Sequence, residues 1–486
     1  MSFKLFINRS FTTSVINKQR QICIVGAGPA GFYAAMHIIK KLDFVNIDIL
    51  EKLPVPFGLI RYGVAPDHPE VKNVINQFTK VAKHPNVNFY GNVTLGRDVN
   101  VQQLREHYDA VLLTYGAEED KMLGIENENA KNVVAARNFV GWYNGLPTDK
   151  DLEIDLSFKT AAILGQGNVA LDTARILLTP IDELKKTDIT EHALNALAES
   201  KIKEIYLVGR RGPLQVAFTI KELREQIKLR NCETVWRKED FNNVENFVPN
   251  LARPRKRLTE LMLKSLNENK ASNDNNYRTY FKPIFFRSPN KFLINDDKQV
   301  SGVELNRTQL IGEYSENQKC VQTDEKEILN CNLVFRSIGY KSVNVDKDLS
   351  FSHDKLTNNN GVVENNCSNL GNLYVAGWLG TGPLGVILHT MGNAFQVAKV
   401  MCDDLCRANN TTEKGGIVEI KRLLSKKNVD TVDWEGWEKI DKYEVEQGKS
   451  KGKPREKICS VDKMLEIAQV SRGLRHGLSK EQLQSS

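Results

Sequence analysis

QICIVGAGPAGFYAAMHIIKKLDFVNIDILE, residues 21–51, decides the fold. Residues 21–25 are a short apolar run with β-branched side chains, which predicts a buried strand. Gly26, Gly28 and Gly31 follow in G-x-G-x-x-G spacing. Residues 32–41 have helical composition, and residues 47–50 make a second strand ending at Glu51. This is a complete βαβ unit. Gly26 allows the tight turn, Gly28 lets the backbone approach a pyrophosphate, and Gly31 lets helix and strand pack closely. The helix N-terminus offers N–H groups and a positive dipole end to phosphates. Glu51, twenty residues beyond Gly31, is placed to accept ribose hydroxyls, as in FAD or NAD.

The unit recurs. Residues 160–164 read as a strand, Gly165, Gly167 and Ala170 give G-x-G-x-x-A, and residues 171–178 read as a helix. The next strand, 204–208, ends in Gly209-Arg210-Arg211 rather than in an acid. A carboxylate there would repel a 2′-phosphate, whereas paired guanidiniums bind it. The second site is therefore expected to prefer NADP(H). A solvated basic loop is the alternative, and the position at the strand end weighs against it. FAD first and NADP(H) second read as an NADPH-dependent flavoprotein.

The expected fold is α/β, with two Rossmann-like dinucleotide-binding domains. An FAD domain (21–117 and 339–486, the latter with a C-terminal extension) is interrupted by an NADP domain (118–338). Residues 110–117 and 333–340 read as the strands that run into Gly turns at the two crossings.

Composition narrows the class. The chain has 486 residues, 41% hydrophobic and 26% charged, which excludes wholesale disorder, collagen and coiled coil. Eight scattered Cys without a C-x-x-C pair exclude a disulfide scaffold and a zinc ribbon, and no metal site is expected. The net charge of +7 decides between no partners by itself. Residues 1–20 carry Lys4, Arg9, Lys18 and Arg20, five Ser or Thr and no acid; this composition suits a mitochondrial presequence. No apolar run is long enough for a transmembrane helix. Peripheral contact with the inner membrane and the oligomeric state stay open.

Several other segments carry expectations. Residues 54–69 form a Pro/Gly-dense loop that could lie along a flavin, with Asp67 and His68 as its titratable pair; Asp67 otherwise reads as the cap of a helix over 70–83. Residues 373–378 read as a strand and Gly turn, and residues 380–387 as a Gly-rich helix entry of the kind that cradles phosphate or flavin. Arg253, Arg255, Lys256 and Arg257 make a basic knot in front of an amphipathic helix over 258–266, a docking patch for an acidic protein. Residues 448–457, GKSKGKPREK, read as a basic arm, and Cys402 and Cys406 as buried small residues on a helix.

PVPFGLIRYGVAPDHPEVKNVIN, GQGNVALDTARILLTP, LVGRRGPLQVAFTIKELRE, RPRKRLTEL, SIGYKS and GKPREK together resemble the mitochondrial adrenodoxin reductase family, from about residue 21 to about 465. The resemblance implies an NADPH-dependent reductase of a mitochondrial [2Fe–2S] ferredoxin in the matrix, of glutathione-reductase-like type, which serves iron–sulfur cluster assembly. It implies FAD contacts at Ala30, Glu51, Leu59, Leu95, Trp378 and the turn Gly385-Val386-Ile387. It implies NADP contacts at Gln166, Gly167, Asn168, Val169, Arg210, Arg211, Glu222 and Gly385. By the same resemblance, His68 and Asp172 belong to proton movement near the flavin, and Arg253 and Arg257 to ferredoxin docking. The sequence departs from the family pattern at Leu384, where Thr is usual, and at Gly380-Thr381, where a more basic pair is common. The competing functions are an FAD- and NADPH-dependent monooxygenase, which needs no basic docking knot, and a non-catalytic flavin-bound interaction protein, which needs no Arg210-Arg211 pair. No nucleic-acid partner is expected.

Overall fold

The computed structural model describes residues 19–268, 279–314, 318–363, 370–383, 385, 387–408 and 413–468. Most of the presequence, most of the Asn-rich residues 267–276, Leu384 and Val386 lie outside them.

Two parallel sheets organise the chain. The first has five strands in the spatial order Asn372–Val375, Ala110–Leu113, Arg20–Val25, Val45–Glu51 and Val87–Gly91. Four come from the first quarter of the sequence; the fifth returns from beyond the second sheet. Helices cover both faces, which is why its strands are apolar on both sides. Pro29–Lys41 packs against Ile387–Arg407 on one face, and Gly416–Lys426 lies with Val101–His107 on the other.

The second sheet has six parallel strands: Val133–Ala135, Leu333–Arg336, Thr160–Leu164, Glu204–Val208, Thr279–Ile284 and Cys232–Thr234. An antiparallel meander of Arg287–Ile294, Val300–Leu310 and Cys320–Asn330 packs on it through Phe292, Val303 and Leu305. A short antiparallel pair, Glu119–Asp120 with Tyr340–Lys341, ties the two chain crossings together. In each sheet the strand that begins a βαβ unit has neighbours reached in opposite directions. That reversal leaves a crevice at the carboxyl ends of the strands, the place where such sheets bind ligands.

Four local expectations are corrected. The helix over 70–83 is two helices, Pro69–Lys72 and Val74–Ala82; Asp67 does not cap it, because its carboxylate is taken by Arg175. The basic knot does not precede a helix but forms its first turns, Arg253–Glu268, where Pro254 suits the helix start and the buried apolar stripe outweighs the dipole's mild cost. Cys402 is buried, but Cys406 is exposed in the last turn of its helix. The supposed arm at 448–457 is anchored. Lys453 and Lys457 are buried, and a Cβ on Gly448 would lie 2.3 Å from the Arg455 Cα.

These buried cations join the two sheet systems. Lys72 Nζ donates to both Asp188 carboxylate oxygens at 2.6 and 2.8 Å, and Lys457 Nζ reaches Asp188 Oδ2 at 3.1 Å and Asn144 Oδ1 at 3.2 Å. Burial pushes Lys457 down to about 7, with Asp188 pulling the other way. Between that value and the ordinary lysine range, the unfolded chain holds a proton that the folded chain has released. Stability therefore rises with pH across that window, by at most about 1.4 kcal/mol per unit. Lys457→Met is expected to flatten this slope and to raise stability near pH 6; urea unfolding at pH 6, 8 and 9.5 measures it, and an unchanged slope would contradict it.

Candidate active site

The first Gly loop is closed by its own neighbours. Gly26 has φ +111°, its N–H donates to the Leu50 carbonyl at 2.7 Å, and a Cβ there would lie 2.7 Å from Thr114 backbone. Gly31 presses the helix onto the strand, where a Cβ would fall 2.2 Å from the Gly26 carbonyl oxygen. Gly28 differs: a Cβ there would meet no protein atom within 4 Å. Among the described residues nothing packs against that position, so there is room in front of it for a bound group. The helix Pro29–Lys41 has no acid in its first turn and no side-chain cap, which leaves its N-terminus to an anion.

Glu51 faces this loop. Its carboxylate accepts from the Ala27 N–H at 2.8 Å and the Leu53 N–H at 3.1 Å. Burial pushes the carboxyl above its ordinary range, against the pull of those donors. The Pro-rich loop folds over the same place. Phe57 N–H donates to the Ala27 carbonyl at 2.8 Å, and a Cβ on Gly58 would lie 3.2 Å from the Gly28 Cα. Leu59, in that loop, is exposed; Leu95 is buried with Val25, Leu50 and Leu113, so it can offer a ligand only its backbone. Ala30 touches the turn before Trp378, since a Cβ on Gly377 would lie 2.7 Å from its own. Trp378 stacks on Tyr340, and its buried Nε1 has no hydrogen-bond partner among the described residues. Gly385 takes φ +76° against the His389 ring, just before the helix that starts at Ile387.

The second loop repeats the geometry. Gly165 has φ +137°, and a Cβ there would strike the Ser337 carbonyl oxygen at 2.0 Å; a Cβ on Gly167 again meets nothing within 4 Å. Gln166 lies over Gly209 and accepts from the Ala217 N–H at 2.9 Å. Asn168 and Val169 open the helix Asn168–Leu178, and Asn168 Oδ1 accepts from the Thr219 N–H at 2.8 Å. Arg210 is exposed and Arg211 half-buried at the strand end. Burial, then the charges of Arg210 and Arg255, hold Arg211 below the ordinary arginine range.

A buried charge cluster joins the two halves. Asp67 and His68 come from the Pro-rich loop; Asp172, Arg175, Glu222 and Glu225 come from the second sheet's helices. Arg175 donates to Asp67 at 2.5 and 3.1 Å, to Asp172 at 2.6 Å and to Glu222 at 3.2 Å. His68 Nε2 lies 2.6 Å from Glu225 and 3.9 Å from Glu222. Burial raises the Asp172 carboxyl, and burial with the Asp172 charge pushes Glu222 up to about 7. Arg175 outweighs burial at Asp67 and holds it below the usual carboxylate range. The cluster can therefore take up and release a proton near neutral pH. Donor atoms of His68, Asp172 and Glu222 lie within 4.8 Å of one another, but the Arg175 guanidinium already occupies Asp172 and Glu222 and repels a metal ion.

His68 and Asp172, which the resemblance links to proton movement, meet in this cluster; Glu222, expected as an NADP contact, is drawn into it as well, and Arg175 and Glu225 were not foreseen. Their signal was present: each stands three residues after Asp172 or Glu222, on the same helix face. The basic knot divides: Arg253 and Arg257 are exposed one turn apart, Lys256 is half-buried, and Arg255 donates inward to the Val216 carbonyl at 2.7 Å. Among the described residues, no helix is long and apolar enough to cross a membrane.

Comparison with known proteins follows the same lines. The family model for pyridine nucleotide-disulphide oxidoreductases matches residues 20–226. The mitochondrial NADPH:adrenodoxin oxidoreductase of Drosophila melanogaster is 50% identical over 459 residues, covering 93% of this chain and 94% of that one. The Homo sapiens protein of the same name is 48% identical over 463 residues, covering 93% of each. Among solved structures, Mycobacterium tuberculosis FprA in complex with NADPH matches with a TM-score of 0.86 and 35% identity, over 93% of this chain and 100% of that one.

Proposed function

The chain belongs to the NADPH:adrenodoxin oxidoreductase family, and we propose that it carries electrons from NADPH through FAD to an acidic [2Fe–2S] ferredoxin. One observation carries the reading: two open Gly loops end in opposite charges, Glu51 at the first and Arg210-Arg211 at the second.

The residues fit both dinucleotides. At the first site Gly28 would leave room for a pyrophosphate, Glu51 would accept from the adenosine ribose, and the Trp378 indole and the Gly385 turn would border the flavin. At the second, Gly167 leaves the same room, Gln166 to Val169 supply the loop and helix end, and Arg210 and Arg211 meet a 2′-phosphate. Bound FAD supplies the conversion between hydride transfer and single-electron transfer. Arg175 holds Asp67, Asp172 and Glu222 in place across the two halves of the site. Glu222, pushed up to about 7 by burial and the Asp172 charge, holds the exchangeable proton, with His68 Nε2 at 3.9 Å from its carboxylate. Arg253 and Arg257 present their guanidiniums to the ferredoxin. The FAD-binding unit takes residues 21–117 and 339–486, with the NADP unit between. The protein works in mitochondria, in the matrix, where the acid-free first twenty residues would direct it. We assign iron–sulfur cluster assembly to its ferredoxin on the family resemblance alone.

NADPH-dependent cytochrome c reduction tests this. Turnover is expected to depend on added mitochondrial-type ferredoxin, and Arg253→Glu with Arg257→Glu to raise the ferredoxin KM by about tenfold or more, with the NADPH KM held. Turnover indifferent to ferredoxin, with matching oxygen uptake, would favour the monooxygenase.

A further inference from the structure

The run RPRKR reads as one patch, but the helix turns its members apart. Arg253 and Arg257 share a face and are exposed. Arg255 lies about 160° from each around the helix, and its guanidinium goes the other way: Nη1 donates to the Val216 carbonyl at 2.7 Å. We propose that Arg255 is a third cation of the 2′-phosphate pocket of NADP(H), working beside Arg211, and takes no part in ferredoxin docking.

The anchoring places it there. Val216 belongs to the loop that leaves the second sheet at Arg210-Arg211, turns through Pro213–Gln215 and returns to the Gly loop, where the Ala217 N–H donates to the Gln166 carbonyl. The start of the helix Arg253–Glu268 packs on that turn. The backbone of the arginine pair is fixed from the other side: Thr308 Oγ1 donates to the Arg210 carbonyl at 2.7 Å, and the Phe286 N–H to the Arg211 carbonyl at 3.3 Å. Three guanidiniums thus come from two elements held to one loop. Burial first, and then the charges of Arg210 and Arg255, hold the Arg211 guanidinium below the ordinary arginine range. Gathering like charges costs stability in the empty protein. A dianion that accepts from all three recovers the cost on binding, and a nucleotide without the 2′-phosphate does not.

The inference rests on the reading of Arg210-Arg211 as the 2′-phosphate site. Calorimetry on the purified flavoprotein separates the two, with 2′,5′-ADP and 5′-AMP as probes. Arg255→Ala is expected to weaken 2′,5′-ADP by about tenfold and to leave 5′-AMP within about twofold. Arg255→Lys, which keeps the charge but not the fork, should fall between. Retained 5′-AMP binding and bound flavin report an intact fold. Equal loss of both probes would make Arg255 a brace for the 212–217 loop, and no loss, or a raised ferredoxin KM, would return it to the docking face; each overturns the proposal. If Arg211→Ala also leaves 2′,5′-ADP unaffected, the strand-end reading falls with it; if only Arg255→Ala does, the strand-end reading stands.

Discussion

Replacing Arg210 and Arg211 together by alanine is expected to raise the KM for NADPH by about two to three orders of magnitude while leaving that for NADH within about threefold. Each guanidinium–phosphate contact is charge-assisted and contributes about 1.5–3 kcal/mol, and 1.4 kcal/mol is a factor of ten. On the proposed reading the effect is confined to the 2′-phosphate because the rest of the nucleotide would be held elsewhere. Gly167 would give it room, and the helix Asn168–Leu178 presents an N-terminus without an acid in its first turn. The kcat at saturating NADPH should stay close to its starting value, since the 2′-phosphate is remote from the transferred hydride and binds substrate and transition state alike. Steady-state kinetics with both nucleotides decide the matter. A parallel loss with NADPH and NADH would mean that the arginines hold the loop rather than the phosphate.

The largest expected loss of stability comes from a residue far from either nucleotide. Arg61 and Glu444 form an ion pair in which both side chains are almost wholly buried. Glu444 also accepts from the Ile458 N–H at 2.9 Å and from Arg455 at 3.1 Å, so one carboxylate joins the Pro-rich loop, the helix Trp434–Ser450 and the segment after it. Arg61 is further packed over the Trp437 ring. Glu444→Ala strands a buried guanidinium and is expected to cost about 3–5 kcal/mol in urea unfolding. The double variant Arg61→Met with Glu444→Leu should recover part of that, because apolar replacement of both partners removes the desolvation cost as well as the attraction, while the Ile458 N–H is left without its acceptor. The single variant should also release its flavin more readily, since Phe57 and Gly58 of the same loop close over Ala27 and Gly28. A loss below about 1 kcal/mol would show that water reaches Arg61 in the folded protein.

The parts of this molecule that could be read in advance are those fixed by local spacing. Gly26, Gly28 and Gly31 lie within six residues, and Glu51 ends the strand that their helix leads to, so chemistry and geometry share one stretch of chain. The same holds for Gly165, Gly167 and Arg210. Charges whose partners lie far along the chain were not legible. Arg175 meets Asp67 across 108 residues, and Lys457 meets Asp188 across 269. In the sequence, GKPREK is a run of cations that ordinarily stays in water. Only the fold brings up Glu444 against Arg455, Asp188 against Lys457 and Glu191 within 3.7 Å of Lys453, the acids that make burial of this segment tolerable. The start of the helix at the basic knot was misplaced for a related reason: the run of cations is visible, but packing of Leu258, Met262 and Leu266 decides that the run forms the first turns of the helix rather than preceding it.

The electron relay itself is tested most directly by stoichiometry without oxygen. The purified flavoprotein is mixed anaerobically with oxidised [2Fe–2S] ferredoxin in excess and with measured amounts of NADPH, and ferredoxin reduction is followed by the bleaching of its visible absorbance. The account expects two ferredoxins reduced for every NADPH consumed, because a hydride carries two electrons and each cluster accepts one. NADPH that stays unoxidised until oxygen is admitted, with the ferredoxin still oxidised, would contradict it.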